Sequence, residues 1–170
     1  MPEDQNQNPG SSLGLEQLRR QMRDNQNLTL GIFGGALGGV IGAVAWGLLT
    51  WITHIQIGYA AIGVGFLAEL GVRLLGRGID TSFAVVGAVM ALLGVLLGNL
   101  FWACIEIARQ EGVPLSAVAA SLNSELISTI FRKTFSPIDL LFYGIAVWAG
   151  FKYARLSPPD AEVIDAVKTS

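Results

Sequence analysis

Residues 28–52 read LTLGIFGGALGGVIGAVAWGLLTWI, a run with no charged side chain and with glycine recurring through its first two thirds. A helix that crosses a bilayer needs about 20 mostly apolar residues, because the hydrocarbon core is about 30 Å thick and each helical residue rises about 1.5 Å. This stretch meets that length. Further apolar runs follow at 55–75, 82–105 and 138–155. The last is the shortest, and it reaches span length when Lys152 and Arg155 extend toward the headgroups. The expected fold is an all-α membrane protein with four transmembrane helices bundled over 28–155. An arm at 1–27 would carry a short amphipathic helix, a connection at 106–137 a second one outside the cytoplasm, and 156–170 would form a tail.

Composition agrees with that class. The 170 residues are 52% hydrophobic and 14% charged, with a mean hydropathy of +0.53, where soluble proteins carry about 25% charged residues. The segments outside the spans are too short to build a catalytic domain with its own core. A net charge of −2 supplies no basic face for nucleic acid. Cys104 and His54 are each the sole residue of their type, which excludes an intramolecular disulfide and a zinc site of the usual kind. Cys104 reads as a small buried hydrophobe. No cofactor or metal is expected. The polar first 27 residues contain no cleavable signal peptide, 1–12 read as disordered, and the first span would be its own targeting signal.

Charge sets the expected orientation. Arg19, Arg20, Arg23, Arg73, Arg77, Lys152, Arg155 and Lys168 fall on one side, and Arg109, Arg132 and Lys133 on the other. The positive-inside rule then puts both termini in the cytoplasm. Trp46, Trp51, Tyr59 and Trp102 fall near the outer ends, as an interfacial belt requires. Leu15, Leu18 and Met22 alternate with the arm's arginines, a pattern that suits a helix lying on an anionic leaflet or a leader that only sets topology.

Glycine is ordered along the spans. Gly31, Gly35, Gly39, Ala43 and Gly47 recur every four residues, with Gly34, Gly38 and Gly42 as a second stripe beside them. Gly87, Ala91, Gly94 and Gly98 follow a heptad-like spacing in the third run, and Ala146, Gly150 and Ala154 mark the fourth. Lipid offers no hydrophobic drive for helices to associate, so packing depends on close backbone approach over small residues. Gly31, Gly35, Gly39, Gly42, Gly87, Gly94 and Gly98 are the expected packing positions. With two small faces, the first span should sit centrally or meet another copy of the chain. Val40-Ile41-Gly42-Ala43-Val44 resembles Val85-Val86-Gly87-Ala88-Val89, as a duplicated hairpin would produce.

One ionic constellation falls within the spans. Ala61, Gly65, Glu69, Arg73 and Arg77 lie four apart on one helix face. Glu69 would sit about 10 Å from the cytoplasmic end of its helix, where a lone carboxylate costs at least a few kcal/mol unless protonated, paired or facing water. Arg73 is correctly placed for an intrahelical pair. The pair is either a clasp that fixes the second span or a proton- or cation-binding group with its counter-ion. His54, at the tip of the first hairpin, is a solvated interfacial residue or a relay. Glu106 and Asp139 lie at the outer boundary, and Ser136-Pro137 before Asp139 resembles a helix start. Residues 116–131 contain no helix breaker, so one amphipathic helix is expected there, facing lipid or a protein partner. No nucleophile elbow, His-Glu-x-x-His or lipid-modification motif is present. An enzyme is not expected.

Gly63-Val64-Gly65-Phe66-Leu67, Gly71-Val72-Arg73-Leu74, Gly76-Arg77-Gly78, Ile138-Asp139-Leu140-Leu141-Phe142 and Lys152 together resemble an uncharacterised family of small bacterial multi-pass membrane proteins. The likeness spans roughly residues 31–155 and implies the bacterial inner membrane and no known activity. The N-terminal segment departs most from the family. The resulting expectation is a non-enzymatic scaffold or accessory subunit in the bilayer, with itself or a membrane complex as partner. The alternative is a small oligomeric proton- or cation-coupled transporter or channel using Glu69 and Arg73.

Overall fold

The computed structural model describes residues 9–53, 59–134 and 136–156, and these are mostly helical, with no strand among them. The helices are α1 Pro9–Asp24, α2 Leu28–Thr53, α3 Ala60–Gly76, α4 Thr81–Glu111, α5 Leu115–Ala120, α6 Ser124–Thr134 and α7 Pro137–Tyr153. His54, residues 1–8 and the tail from 157 lie outside the described residues. Helix α1 begins at Pro9, inside the stretch expected to be disordered; proline suits a first helical position because its fixed φ is already helical and no N–H is lost.

Local chemistry sets several ends. Asn27 caps α2, its side-chain Oδ1 accepting the Leu30 N–H at 3.0 Å. Arg77 closes α3 in the left-handed region (φ 49) and donates its N–H to the Arg73 carbonyl at 3.1 Å. Gly112 closes α4 in the same way (φ 65), so α4 runs six residues past the expected end of its span at 105. Asp139 accepts the Ser136 N–H at 2.8 Å at the head of α7.

The connection at 106–137 differs from the single helix expected at 116–131. It holds two helices, α5 and α6. The Ser121 hydroxyl turns back to donate to the Val118 carbonyl at 2.8 Å, and Asn123 Oδ1 accepts the Leu126 N–H at 2.7 Å to start α6. Short polar side chains that bond nearby backbone end one helix and cap the next.

Helices α2 and α4 run parallel, and α3 and α7 run the other way. Helices α3 and α4 form the central pair, each touching the other, α2 and α7; α2 and α7 do not meet. The first span is therefore peripheral, and its two small faces are used against two different neighbours. Helices α5 and α6 rest on α4, while α1 packs on no other helix among the described residues. Helices α2 and α4 are long and apolar enough to cross a membrane, and α6 with α7, bent by 105° at their junction, would together make a third. Helices α3 and α7 have 17 residues each, about 25 Å by helical rise.

Candidate functional site

The glycines build the frame. A Cβ on Gly34 would strike the Gly71 carbonyl, and one on Gly38 the Leu67 carbonyl. One on Gly42 would lie 2.9 Å from Cα of Val64. That stripe faces α3. The other stripe turns mainly to α4: an added Cβ would lie 3.2 Å from the Phe83 ring at Gly31, 2.6 and 2.7 Å from Val72 and Met90 at Gly35, and 3.3 Å from Cα of Gly94 at Gly39. Gly94 and Gly98 answer from α4, and a Cβ on Gly98 would lie 2.5 Å from the Trp46 ring. Gly87 turns instead to α7, against Ala154 and the Gly150 carbonyl, and a Cβ on Gly65 would lie 2.9 Å from the Cβ of Ala146 of α7. All seven glycines singled out in the sequence face a helix of this same chain. The heptad-like set of α4 is shared between two neighbours. The likeness between 40–44 and 85–89 has no common depth, since Gly39 lies beside Gly94, leaving Gly42 roughly 15 Å along the bundle from Gly87.

Inside this frame lie a few polar groups. Glu69 is 2% exposed, on the same face of α3 as Ala61 and Gly65, and neither carboxylate oxygen has a hydrogen-bond partner. Arg73, one turn on, is exposed and makes no ion pair with it. The four-residue step rotates a side chain by about 40° around the helix, and Arg73 falls in the last turn of α3. We refer to that end of the bundle, where Arg73, Arg77, Lys152 and Arg155 gather, as the basic end.

Sequence reasoning missed a buried polar contact between two helices. Asn99 of α4 donates to the Tyr143 hydroxyl of α7 at 2.7 Å, and Asn99 is 3% exposed. Its Oδ1, together with Trp46 Nε1 and Thr50 Oγ1, is buried without a hydrogen-bond partner. The available signal was Asn99 itself, the one amide in the 82–105 run, since polar groups within spans bond across helices.

At the basic end the turn between α3 and α4 gathers the chain. Gly76 accepts the Asn27 N–H at 2.9 Å and Gly78 accepts the Leu156 N–H at 2.7 Å. Asp80 accepts from Gln26 Nε2 at 2.5 Å and pairs with Arg23 at 3.3 Å. At the opposite end Glu106 is engaged by Arg109 at 3.0 Å and Gln110 at 2.8 Å. A cavity of about 440 Å³ there lies between α2 and α4, lined by Leu48, Trp51, Phe101, Ile105, Arg109 and Leu115 among others. Cys104 is buried. Among the described residues no three of His, Cys, Asp and Glu converge as metal ligands would.

The interior is thus tightly packed, with one carboxyl and one amide–phenol contact enclosed in it. Comparison of the chain with protein-family models, with curated proteins and with solved structures finds no match.

Proposed function

We propose that this chain is a multi-pass protein of the bacterial inner membrane that acts as a non-enzymatic scaffold or accessory subunit of a membrane complex. The carrying observation is where the small and large residues lie. The glycine faces are consumed inside the bundle, whereas Phe33, Leu37, Ile41, Phe66, Leu97, Leu140 and Trp148 all stand outward. Such a surface meets lipid or other membrane helices. Connectivity supports four crossings. Helices α2 and α4 are parallel, and the turn at 77–80 can reach only about 14 Å, which favours α3 as the segment that carries the chain back across. Helix α7 then returns antiparallel to α4. Arg73, Arg77 and Lys152 extend α3 and α7 to the headgroups, and the gathering of cations at the basic end supports cytoplasmic termini.

The test is native mass spectrometry of the full chain extracted in lipid nanodiscs. Recovery with a defined set of other membrane proteins supports the subunit reading, and recovery as an isolated monomer overturns it. The buried Glu69 favours a second reading, a small oligomeric proton- or cation-coupled transporter; a stable homo-oligomer whose ion flux in liposomes is lost in Glu69→Gln would establish it.

A further inference from the structure

We propose that Glu69 is a proton-binding site: a carboxylic acid carried in its neutral form at the seam between α3 and α7, with the proton as its ligand and no metal cation. The inference deepens the second functional reading and rests on it for its use in transport, although the site itself would stand without flux.

The argument begins with enclosure. Glu69 is 2% exposed, and both oxygens lack a hydrogen-bond partner. One turn away on the same face, Gly65 sits against Ala146 of α7 closely enough that a single added methyl would lie 2.9 Å from the alanine Cβ. The surrounding helices offer little to balance a negative charge. Helix α2 carries no titratable side chain. The titratable residues of α4 are Cys104, Glu106, Arg109 and Glu111, all toward the end remote from Glu69. Helix α7 contributes Asp139 and Tyr143 toward that same remote end, and Tyr143 is bonded to Asn99. At the basic end α7 has Lys152, exposed and stacked over the Trp148 and Tyr153 rings at 4.8 and 5.2 Å, and Tyr153. On α3 itself Arg73 is exposed and unpaired with Glu69. An ionised carboxylate without a partner is the costliest occupant of such a place, and neutralisation by a proton is the response left to it.

The donor set separates a proton from a metal ion. Sodium- or calcium-like cations need several oxygen ligands around them. Glu69 brings two oxygens, and no other polar atom among the described residues bonds to them. A proton needs only one. Exchange with water would occur at the basic end, which is the nearer one, where the Arg73 guanidinium a turn away would favour the carboxylate left behind as the proton departs.

The experiment is an infrared pH titration of the full chain in lipid vesicles, read at the C=O stretch of protonated carboxylic acids. The expected result is a band at neutral pH that shifts in heavy water, fades as the buffer turns alkaline, and is missing from Glu69→Gln. If Glu69→Gln does not fold, Glu69→Asp replaces it and should move the band. A membrane-soluble carbodiimide gives a second readout: the carboxyl proton passes to one carbodiimide nitrogen as the carboxylate oxygen bonds the central carbon, so the adduct forms without a leaving group. Peptide mass spectrometry should find it on Glu69 and not on Glu16, Glu106, Glu111 or Glu125. No carboxylic-acid band at neutral pH in the folded protein would overturn the proposal. So would a band unchanged in a folded Glu69→Gln. A band without proton flux in liposomes would keep the site and remove the transport reading.

Discussion

The carbonyl oxygens of Gly34 and Gly71 each occupy the place that a Cβ on the other residue would take. Helices α2 and α3 therefore approach backbone to backbone, a distance only glycine allows. Adding a side chain at either position pushes the helices apart, and overpacking of this kind costs about 1–3 kcal/mol. Gly34→Ala and Gly71→Ala should each destabilise the bundle by that order in a reversible unfolding assay in bicelles. Gly63→Ala and Gly144→Ala are the controls, because a Cβ there meets nothing within 4 Å. They should be neutral or stabilising by up to about 1 kcal/mol, the helix preference of alanine over glycine. Equal losses at all four sites would contradict the packing described here.

The bond from Asn99 to Tyr143 is the polar tie between α4 and α7. Tyr143→Phe removes the acceptor and leaves the Asn99 amide unpaired. Interhelical hydrogen bonds in bilayers contribute about 0.6 kcal/mol on average and up to about 1.7. A double-mutant cycle of Tyr143→Phe with Asn99→Leu should return a coupling in that range, and zero coupling would show the contact to be energetically idle.

Asp80 holds the arm. It pairs with Arg23 across partly exposed side chains, 66% and 35% open, and accepts from Gln26. Exposed pairs contribute about 0–1 kcal/mol, so Asp80→Ala should leave the bundle's stability nearly unchanged. Helix α1, which packs on no other helix among the described residues, should nonetheless come free. Spin labels on α1 and at the α3–α4 turn should report a narrow distance distribution in the parent chain and a broad one in the variant.

Asn123 separates α5 from α6. Losing an N-cap costs about 1 kcal/mol, so Asn123→Ala should speed hydrogen exchange at the amides of Leu126 and Ile127 while leaving those of α4 unchanged. Unaltered exchange at Leu126 would mean that the break has another cause.

Much of the fold was legible because span length is a one-dimensional property. The runs at 28–52 and 82–105 became α2 and α4 nearly unaltered at their starts. Glycine spacing announced close approach, but which helix each glycine approaches depends on rotation about the axis. That rotation made Gly87 face α7 while Gly94 faces α2. The same limit hid the Glu69–Arg73 arrangement: a four-residue step brings two charges within reach, yet packing turned one inward and left the other exposed. Asn99 and Tyr143 are 44 residues apart, and no local pattern joins them. The division of 106–137 turned on two small side chains, Ser121 and Asn123, each bonding its own neighbourhood.

Helix α7 has a further consequence, for the order of manufacture. Chains are made and fold from the N-terminal side first, so α2, α3 and α4 would be in place before α7 arrives. Until then Gly65 and Gly87 lack the Ala146 and Gly150 that cover them, and the Gly78 carbonyl lacks the Leu156 N–H. The half-made protein would thus leave an open groove along α3 and α4, and α7 is the stave that closes it.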